Sequence, residues 1–498
     1  MAVSFEKFLG APWKNSHRAY DESVFNIRPA PEFSTAEVLV ASLYRACGFN
    51  GYHENEVPRA GREFDKTTKA TRTTHEENGK VRVDTWRTVL HGVLDSPKQR
   101  NQSAKRFLQL CPVVPDVALY SGSPRLAGNS WNPGVLVQRI IQMGSPSREA
   151  AEELWGRLFE SLTVGPTDDV WARWLQEEFR RRGKDGQAWA MTRLPSDDNP
   201  LPAAEKEHLQ FPAQQLVKDL DAVIAAKSRM TRRQWVSILE AILRLGSATH
   251  VFWLCSLNSK MWTHAREIME GRIGAPSLEV VRTNIVNGER RYLAYGNPAI
   301  TFVKQYASEY LVARIGLNLT AWLLQQCGVE VESLTSCDKV QRFLTAVEVN
   351  RDRIVGLDIW SHYSSLTESE AKTIDCKKGI GSNLVEFARY TLGQRLAADE
   401  TLRGYDQGYI LRKRGESNSA PWMVSLGPVA VLALVHACLK EAAGPRSVRK
   451  LCEHLGAYGI EVNLDGIANS ELGKKLRMLG LVLDSPDAES GMLLVPPF

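Results

Sequence analysis

Apolar residues recur along most of this chain at intervals of three and four, the period at which one face of a helix returns. A first helix follows Ser34 or Thr35, either of which can cap it, and carries Val38, Leu39, Ala41, Leu43 and Tyr44. From 86 to 180 the period is mainly helical, clearest in VLVQRIIQM and AAEELWGRLFESL. Thr231 and Gln234 form a capping box, after which Trp235, Ile238, Leu239, Ile242 and Leu243 line one face and Gly246 marks the stop. FVKQYASEYLVARI and NLTAWLLQQC predict further helices. Two Asn-Gly pairs interrupt this pattern. Asn78-Gly79 in TRTTHEENGKVRVDTW and Asn287-Gly288 in LEVVRTNIVNGERRYLAYG each supply the two positive-φ positions of a tight hairpin turn. Pro, Gly and acidic residues without period over 183–212 predict a long loop or linker, and 400–422 a second, loop-rich connector.

The last segment has its own order of elements. PVAVLALVHACLKEA predicts a helix with Pro428 in its first turn. SVRKLCEHLGAYG predicts a second, capped by Ser447, with Val448, Leu451, Cys452 and Leu455 inward. A third starts near Asn463 or Asp465, buries Leu464, Ile467, Leu472, Leu476 and Leu479, and ends at Gly480. Leu481–Leu483 and Met492–Val495 then pair across the DSPDAESG turn. This order, with LGLV leading into the first strand, resembles the winged helix-turn-helix domains of nucleic-acid-binding proteins over roughly 70 residues. The resemblance implies that helix three enters the major groove, with Asn469, Ser470, Gly473, Lys474 and Arg477 facing bases and Lys474 or Lys475 meeting phosphate.

Charge tempers that implication. From Ala420 to Phe498 seven basic residues meet eight acidic ones, a net of −1. DNA affinity comes largely from neutralised phosphates, and the turn bearing Asp484, Asp487 and Glu489 is repelled by them. A protein-docking or structural role therefore stands beside DNA contact for this segment. The whole chain is only mildly basic, +5 over 498 residues, which permits a nucleic-acid partner without requiring one.

Basic residues concentrate elsewhere. Arg62, Lys66, Lys69, Arg72, Lys80 and Arg82 surround the first predicted hairpin, although Glu63, Asp65, Glu76 and Glu77 dilute them. Arg229, Arg232 and Arg233 cluster at a helix start, where the dipole gives cations no benefit. Arg412, Lys413 and Arg414 precede the last segment and can supply the phosphate contacts it lacks. By contrast, Arg180–Arg182 end a helix, where the dipole alone accounts for them. Lys377–Asn383, a Gly turn before a helix, lacks the GK[ST] end of a phosphate-binding loop and reads as a capped helix start.

No catalytic pattern stands out: HExxH, GxSxG and a strand-led GxGxxG are absent. His53, Glu54 and Glu56 share one loop, the best opening for a metal nuclease, yet Asp65-Lys66 lacks the spacing of a common nuclease core. His250 and His264 flank an apolar run and read as core histidines, and Asp168-Asp169 reads as turn-forming. The eight cysteines contain no CxxC pair and read as reduced, buried thiols, with neither a structural zinc nor another cofactor expected. The apolar run 424–439 is too short to span a membrane comfortably and reads as a buried helix. No signal-peptide pattern opens the chain, so a soluble, cytoplasmic protein without a membrane partner is expected.

Together these readings predict a mainly α, multidomain protein with minor β-hairpins and a C-terminal winged helix. The expected divisions are a mixed α/β unit at 1–185 with a basic hairpin, a linker at 186–212, and a helical unit at 213–400 with a hairpin near 279–295. A basic connector at 401–422 and the winged helix at 423–498 complete them. The expected function is a non-catalytic, DNA-associated subunit of a multiprotein assembly, in bacterial genome maintenance or phage defence, binding DNA without sequence preference. A divergent metal-dependent nuclease and a transcription regulator with a ligand-sensing N-terminal half are the alternatives.

Overall fold

The computed structural model describes residues 36–52, 83–94, 110–121, 133–182, 188–195, 206, 209–288, 290–332, 334, 336–357, 360, 380–395, 406–415, 417, 419–440, 444–484 and 491–498. The first predicted hairpin, with Lys69, Arg72, Lys80 and Arg82, lies outside these residues, as do His53, Glu54 and Glu56.

The described chain is mostly helical. Its N-terminal helices are α1 (Ala36–Gly48), α2 (Val83–Leu94), α3 (Pro133–Gly144), α4 (Arg148–Leu162), α5 (Val170–Arg182) and α6 (Pro212–Ala225). The 38-residue α7 (Arg232–Met269) forms the axis. The predicted capping box is present: Thr231 Oγ1 accepts from Gln234 N, and Gln234 Oε1 accepts from Thr231 N at 3.0 Å. α7 does not stop at Gly246. A Cβ there would lie 2.6 Å from Leu216, so glycine lets α6 approach a continuing helix. The cost of about 1 kcal/mol for a mid-helix glycine is offset by that packing. α7 is the one described helix long and apolar enough to cross a membrane, and its most apolar window is wholly buried within the protein.

Beyond α7, the hairpin expected near 279–295 is absent. Leu278–Val280 form a helical turn that continues as a π-helix over Val281–Val286. Leu278, Val281 and Ile285 follow the helical period, and that pattern overrides the local turn preference of Asn287-Gly288. Asn287 instead ends the π-helix, and its Oδ1 accepts from Gln210 N at 2.8 Å. Strand β1 (Leu293–Ala294) follows, then α8 (Ala299–Gln326), α9 (Cys337–Val349), α10 (Arg351–Val355) and α11 (Ile380–Leu392).

The expected loop-rich connector contains a hairpin. Strands β2 (Leu411–Lys413) and β3 (Trp422–Val424) pair antiparallel, with Leu411 opposite Val424 and Lys413 opposite Trp422. The C-terminal elements are α12 (Pro428–Leu439), β4 (Arg446–Ser447), α13 (Arg449–Ala457), β5 (Ile460–Glu461), a 3-10 turn (Ile467–Asn469), α14 (Glu471–Met478), β6 (Val482–Asp484) and β7 (Met492–Leu494). β4, β7 and β6 form one antiparallel sheet in that order. α12 has Pro428 in its first turn, as predicted, and is a buried helix. α14 starts later than expected, because Gly466 takes a left-handed φ of +72° and breaks any helix begun at Asn463. Ser470 is its cap, accepting from Gly473 N at 3.1 Å, and Leu464 lies 36% exposed rather than buried.

One apolar core runs from Leu39 in α1 to Leu494 in β7 without a break, and a second, smaller one joins α2, residues 110–120 and α5. Strand β5 pairs parallel with β1, tying the C-terminal segment to the helical body. The seven described cysteines are all buried.

Candidate nucleic-acid interface

The β2–β3 hairpin and α14 meet through a compact polar contact. Lys475 Nζ donates to Ser425 Oγ at 2.8 Å and to Leu426 O at 2.7 Å, and pairs with Glu471 at 2.8 Å. Ser425 Oγ in turn donates to Glu471 Oε1 at 2.9 Å. The Lys475 ammonium also stands 5.7 Å from the ring centroid of Tyr409, which precedes β2. Partial burial opposes ionisation of Glu471, but hydrogen bonds from Lys475 and Ser425, with the charges of Lys475 and Arg412, hold its carboxyl below the usual range. Arg412 therefore lies within electrostatic reach of the start of α14.

Around this contact the predicted residues divide into those that face solvent and those committed inward. Arg412, Arg414, Asn469 and Lys474 are exposed. Lys413 and Ser470 are half-buried, one within the hairpin and the other capping α14. Lys475, expected to meet phosphate, instead joins α14 to the hairpin, with only 11% of its side chain exposed. Arg477, expected to face bases, is engaged within its own segment. Its Nε and Nη2 donate to Asp484 Oδ1 at 3.1 and 2.8 Å, and its Nη1 donates to Ala468 O at 2.5 Å. That fork pairs Arg477 with the one described carboxylate of the acidic turn.

The arginines at the start of α7 divide likewise. Arg232 is a correction to the expected surface cluster, since none of its side chain is exposed. It donates to the carbonyls of Val113 at 2.7 Å, Thr163 at 3.2 Å and Leu162, to Tyr44 Oη at 3.2 Å, and to Asp168 at 3.2 Å. Asp168 also accepts from Gly165 N at 2.8 Å and pairs with Lys227. The charge of Arg232 and these bonds overcome partial burial and keep its carboxyl below the usual range. A buried guanidinium thus gathers the ends of several segments against α7, a role that its five donors suit.

Arg229 and Arg233 line a cavity of about 560 Å³ between α1, α7, residues 406–408 and α12. Arg229 donates to Phe498 O at 3.0 Å, and Arg233 contacts the Cys111 thiol. Buried charges also reach this cavity. Arg244 donates to Asp406 at 2.7 Å, Arg395 pairs with Asp406 at 3.3 Å and with Glu37, and Glu240 lies 3.4 Å from Arg395. Burial pushes Glu240 up to about 7 against the pull of Arg244. Asp406 is as deeply buried, yet Arg244 and Arg395 outweigh that and hold it at about 2. Burial lowers His250 to about 3, so this core histidine stays neutral.

Among the described residues, no group of three or more His, Cys, Asp or Glu stands close enough to hold a metal ion. No family model matches the chain, and no curated protein matches it.

Two parts of the arrangement were missed in the sequence. The Ser425–Glu471–Lys475 contact joins a hairpin whose three-residue strands leave no pattern in the sequence to a helix that starts later than its apolar period predicts. The buried charges come together from residues 37, 240, 244, 395 and 406, and no local pattern signals that meeting.

Proposed function

We propose that the chain is a non-catalytic, DNA-associated subunit of a multiprotein assembly, and that residues 423–498 form a winged helix fused to a helical body. With the two-residue β5 set apart by its pairing with β1, the order helix, strand, helix, helix, strand, strand, with β4, β7 and β6 in one sheet, supports the winged-helix reading. Helix α12 packs against α6 and α7, and α13 meets α6 through the bond of His454 to Asp219, whereas α14 carries exposed residues beside the hairpin.

The observation that carries the proposal is the Lys475 contact to Ser425 and Leu426, because it makes a basic hairpin and the third helix neighbours. Arg412 and Arg414 then supply the phosphate contacts that the winged helix lacks alone, alongside Lys474 and Asn469. Binding of this kind follows backbone charge and carries little sequence preference. A multiprotein setting such as bacterial genome maintenance or phage defence suits a subunit of this type. The test is duplex binding as a function of salt, with Arg412, Arg414 and Lys474 replaced by alanine.

A second reading, protein docking by the same segment, is favoured by exposed apolar residues. Met478 is 71% and Leu483 55% exposed, and the Arg477–Asp484 pair leaves the surface near them neutral. Apolar exposure of that kind favours a protein over phosphate. The two readings use adjacent surfaces of one domain, so a single subunit can hold DNA with the hairpin side and a partner with the wing side.

A further inference from the structure

A second cleft, of about 400 Å³, opens where α6 meets α12, β4 and α13, away from the hairpin contact. Lys218 enters it from α6, Lys440 from the end of α12, Arg446 from β4 and Lys450 from α13. Two carboxylates, Asp219 and Asp221, share the cleft, leaving an excess of two positive charges.

Both carboxylates are already engaged. Asp219 is buried and accepts from His454 Nε2 at 2.9 Å, Tyr458 Oη at 2.7 Å and Gln215 Nε2 at 2.8 Å. Asp221 pairs with Lys440 and with Arg157. Lys218, Arg446 and Lys450 have no carboxylate partner among the described residues. Three cations without a carboxylate partner thus converge from three elements on one concavity, against one carboxylate, Asp219, that no lysine or arginine pairs. Helix α13 begins between Arg446 and Lys450, and the positive end of its dipole adds to their field.

We infer that this cleft binds a small ligand carrying two or more linked phosphates, of the nucleoside di- or triphosphate class. Its volume falls within the range of small-molecule sites, roughly 300–1,000 Å³. Its separated cations match several anionic groups better than one. A small polyphosphate can be surrounded by Lys218, Arg446 and Lys450 together, whereas a duplex presents its backbone to one side only. Because the cleft lies between body and C-terminal segment, an occupant that meets both holds them together and raises thermal stability.

Calorimetry on the full chain tests the inference, with ATP, pyrophosphate, orthophosphate and a 20-base-pair duplex as separate probes. ATP and pyrophosphate should each bind one-to-one, and the R446A/K450A variant should weaken both by about tenfold or more, as expected for lost charge-assisted hydrogen bonds. Its melting temperature without ligand should match that of the parent, since both side chains are exposed. Absence of binding by ATP and pyrophosphate overturns the inference, as does equal binding by parent and variant. Binding only of orthophosphate overturns the polyphosphate assignment, and loss only of duplex binding reassigns the cleft to a nucleic-acid backbone. The R412A/R414A/K474A variant should retain ATP binding, so failure of the proposed DNA interface leaves this outcome separately readable.

Discussion

Asp219 and His454 lie 235 residues apart in sequence and 2.9 Å apart in space, in a buried contact between α6 and α13. Tyr458 donates to the same carboxylate at 2.7 Å, and burial drives its phenol well above the ordinary tyrosine range, so it remains a donor. Replacing Asp219 by alanine strands those donors in a dry interface. The expected cost is on the order of 2–4 kcal/mol, that of leaving buried polar groups unsatisfied. Tyr458→Phe, which removes one donor and keeps the ring, should cost on the order of 1 kcal/mol. Urea denaturation of the two variants checks the ranking; equal costs would mean that the Tyr458 hydrogen bond alone carries the contribution of the carboxylate.

Arg232 should be intolerant of change despite its place in a basic triplet. Arg232→Met removes a donor from the Val113, Leu162 and Thr163 carbonyls and the charge partner of Asp168, at an expected loss of more than about 3 kcal/mol. Arg232→Lys should recover little, since one ammonium cannot reach all these acceptors. Replacement of Arg229, exposed at the cavity rim, should change stability by less than about 0.5 kcal/mol. Thermal melts of the three variants measure the contrast, and a mild Arg232→Met would contradict the assigned role.

His250 makes stability depend on pH in a defined direction. Its folded value of about 3 lies below the ordinary 6.5 because burial disfavours the imidazolium. Its contribution is complete above pH 6.5 and declines as pH falls toward 3, because only the unfolded chain takes up the proton. Between pH 7 and 5 the loss from this group should reach about 2 kcal/mol, at 1.36 kcal/mol per pH unit below 6.5. His250→Phe should remove that slope whatever it does to stability at pH 7. Parallel pH profiles for parent and variant would show that His250 is protonated in the fold.

The helical period was the dependable signal in this sequence. It marks α1, α3, α4, α7 and α12, and the Thr231–Gln234 capping box sits where the residues predict it. Failures arose where one residue was read for its local preference. Gly246 reads as a stop, but here it admits Leu216 of a neighbouring helix. Asn287-Gly288 reads as a hairpin turn, but the apolar positions before it follow a helix. Conversely, Leu411–Lys413 and Trp422–Val424 are each too short to show alternation and are recognisable as strands only when paired. The candidate interface is legible only as charge: Arg412, Arg414, Asn469 and Lys474 are exposed, but the burial of Arg232 and Lys475 and the fork of Arg477 onto Asp484 come from tertiary packing.

Arg477 and Lys474 should behave oppositely in binding, although only three positions separate them. Arg477 is already forked onto Asp484, an exposed pair that solvent screens and that adds little to stability. Arg477→Ala should leave duplex affinity within about twofold, whereas Lys474→Ala should lower it by several-fold at low salt. Anisotropy titrations of the two single variants decide this; a larger loss from Arg477→Ala would show that the fork opens to meet DNA.

The central claim is that the hairpin and third helix form one phosphate-binding surface. It is tested most directly by the salt dependence of binding to a labelled duplex. Three phosphate contacts, from Arg412, Arg414 and Lys474, give an expected slope of log K against log salt of about −2.7, so affinity should fall about 40-fold between 50 and 200 mM salt. R412A/R414A/K474A should abolish that binding at 50 mM while melting at the parent's temperature. A parent that binds no duplex at 50 mM salt, or a triple variant with unchanged affinity and slope, would contradict the account.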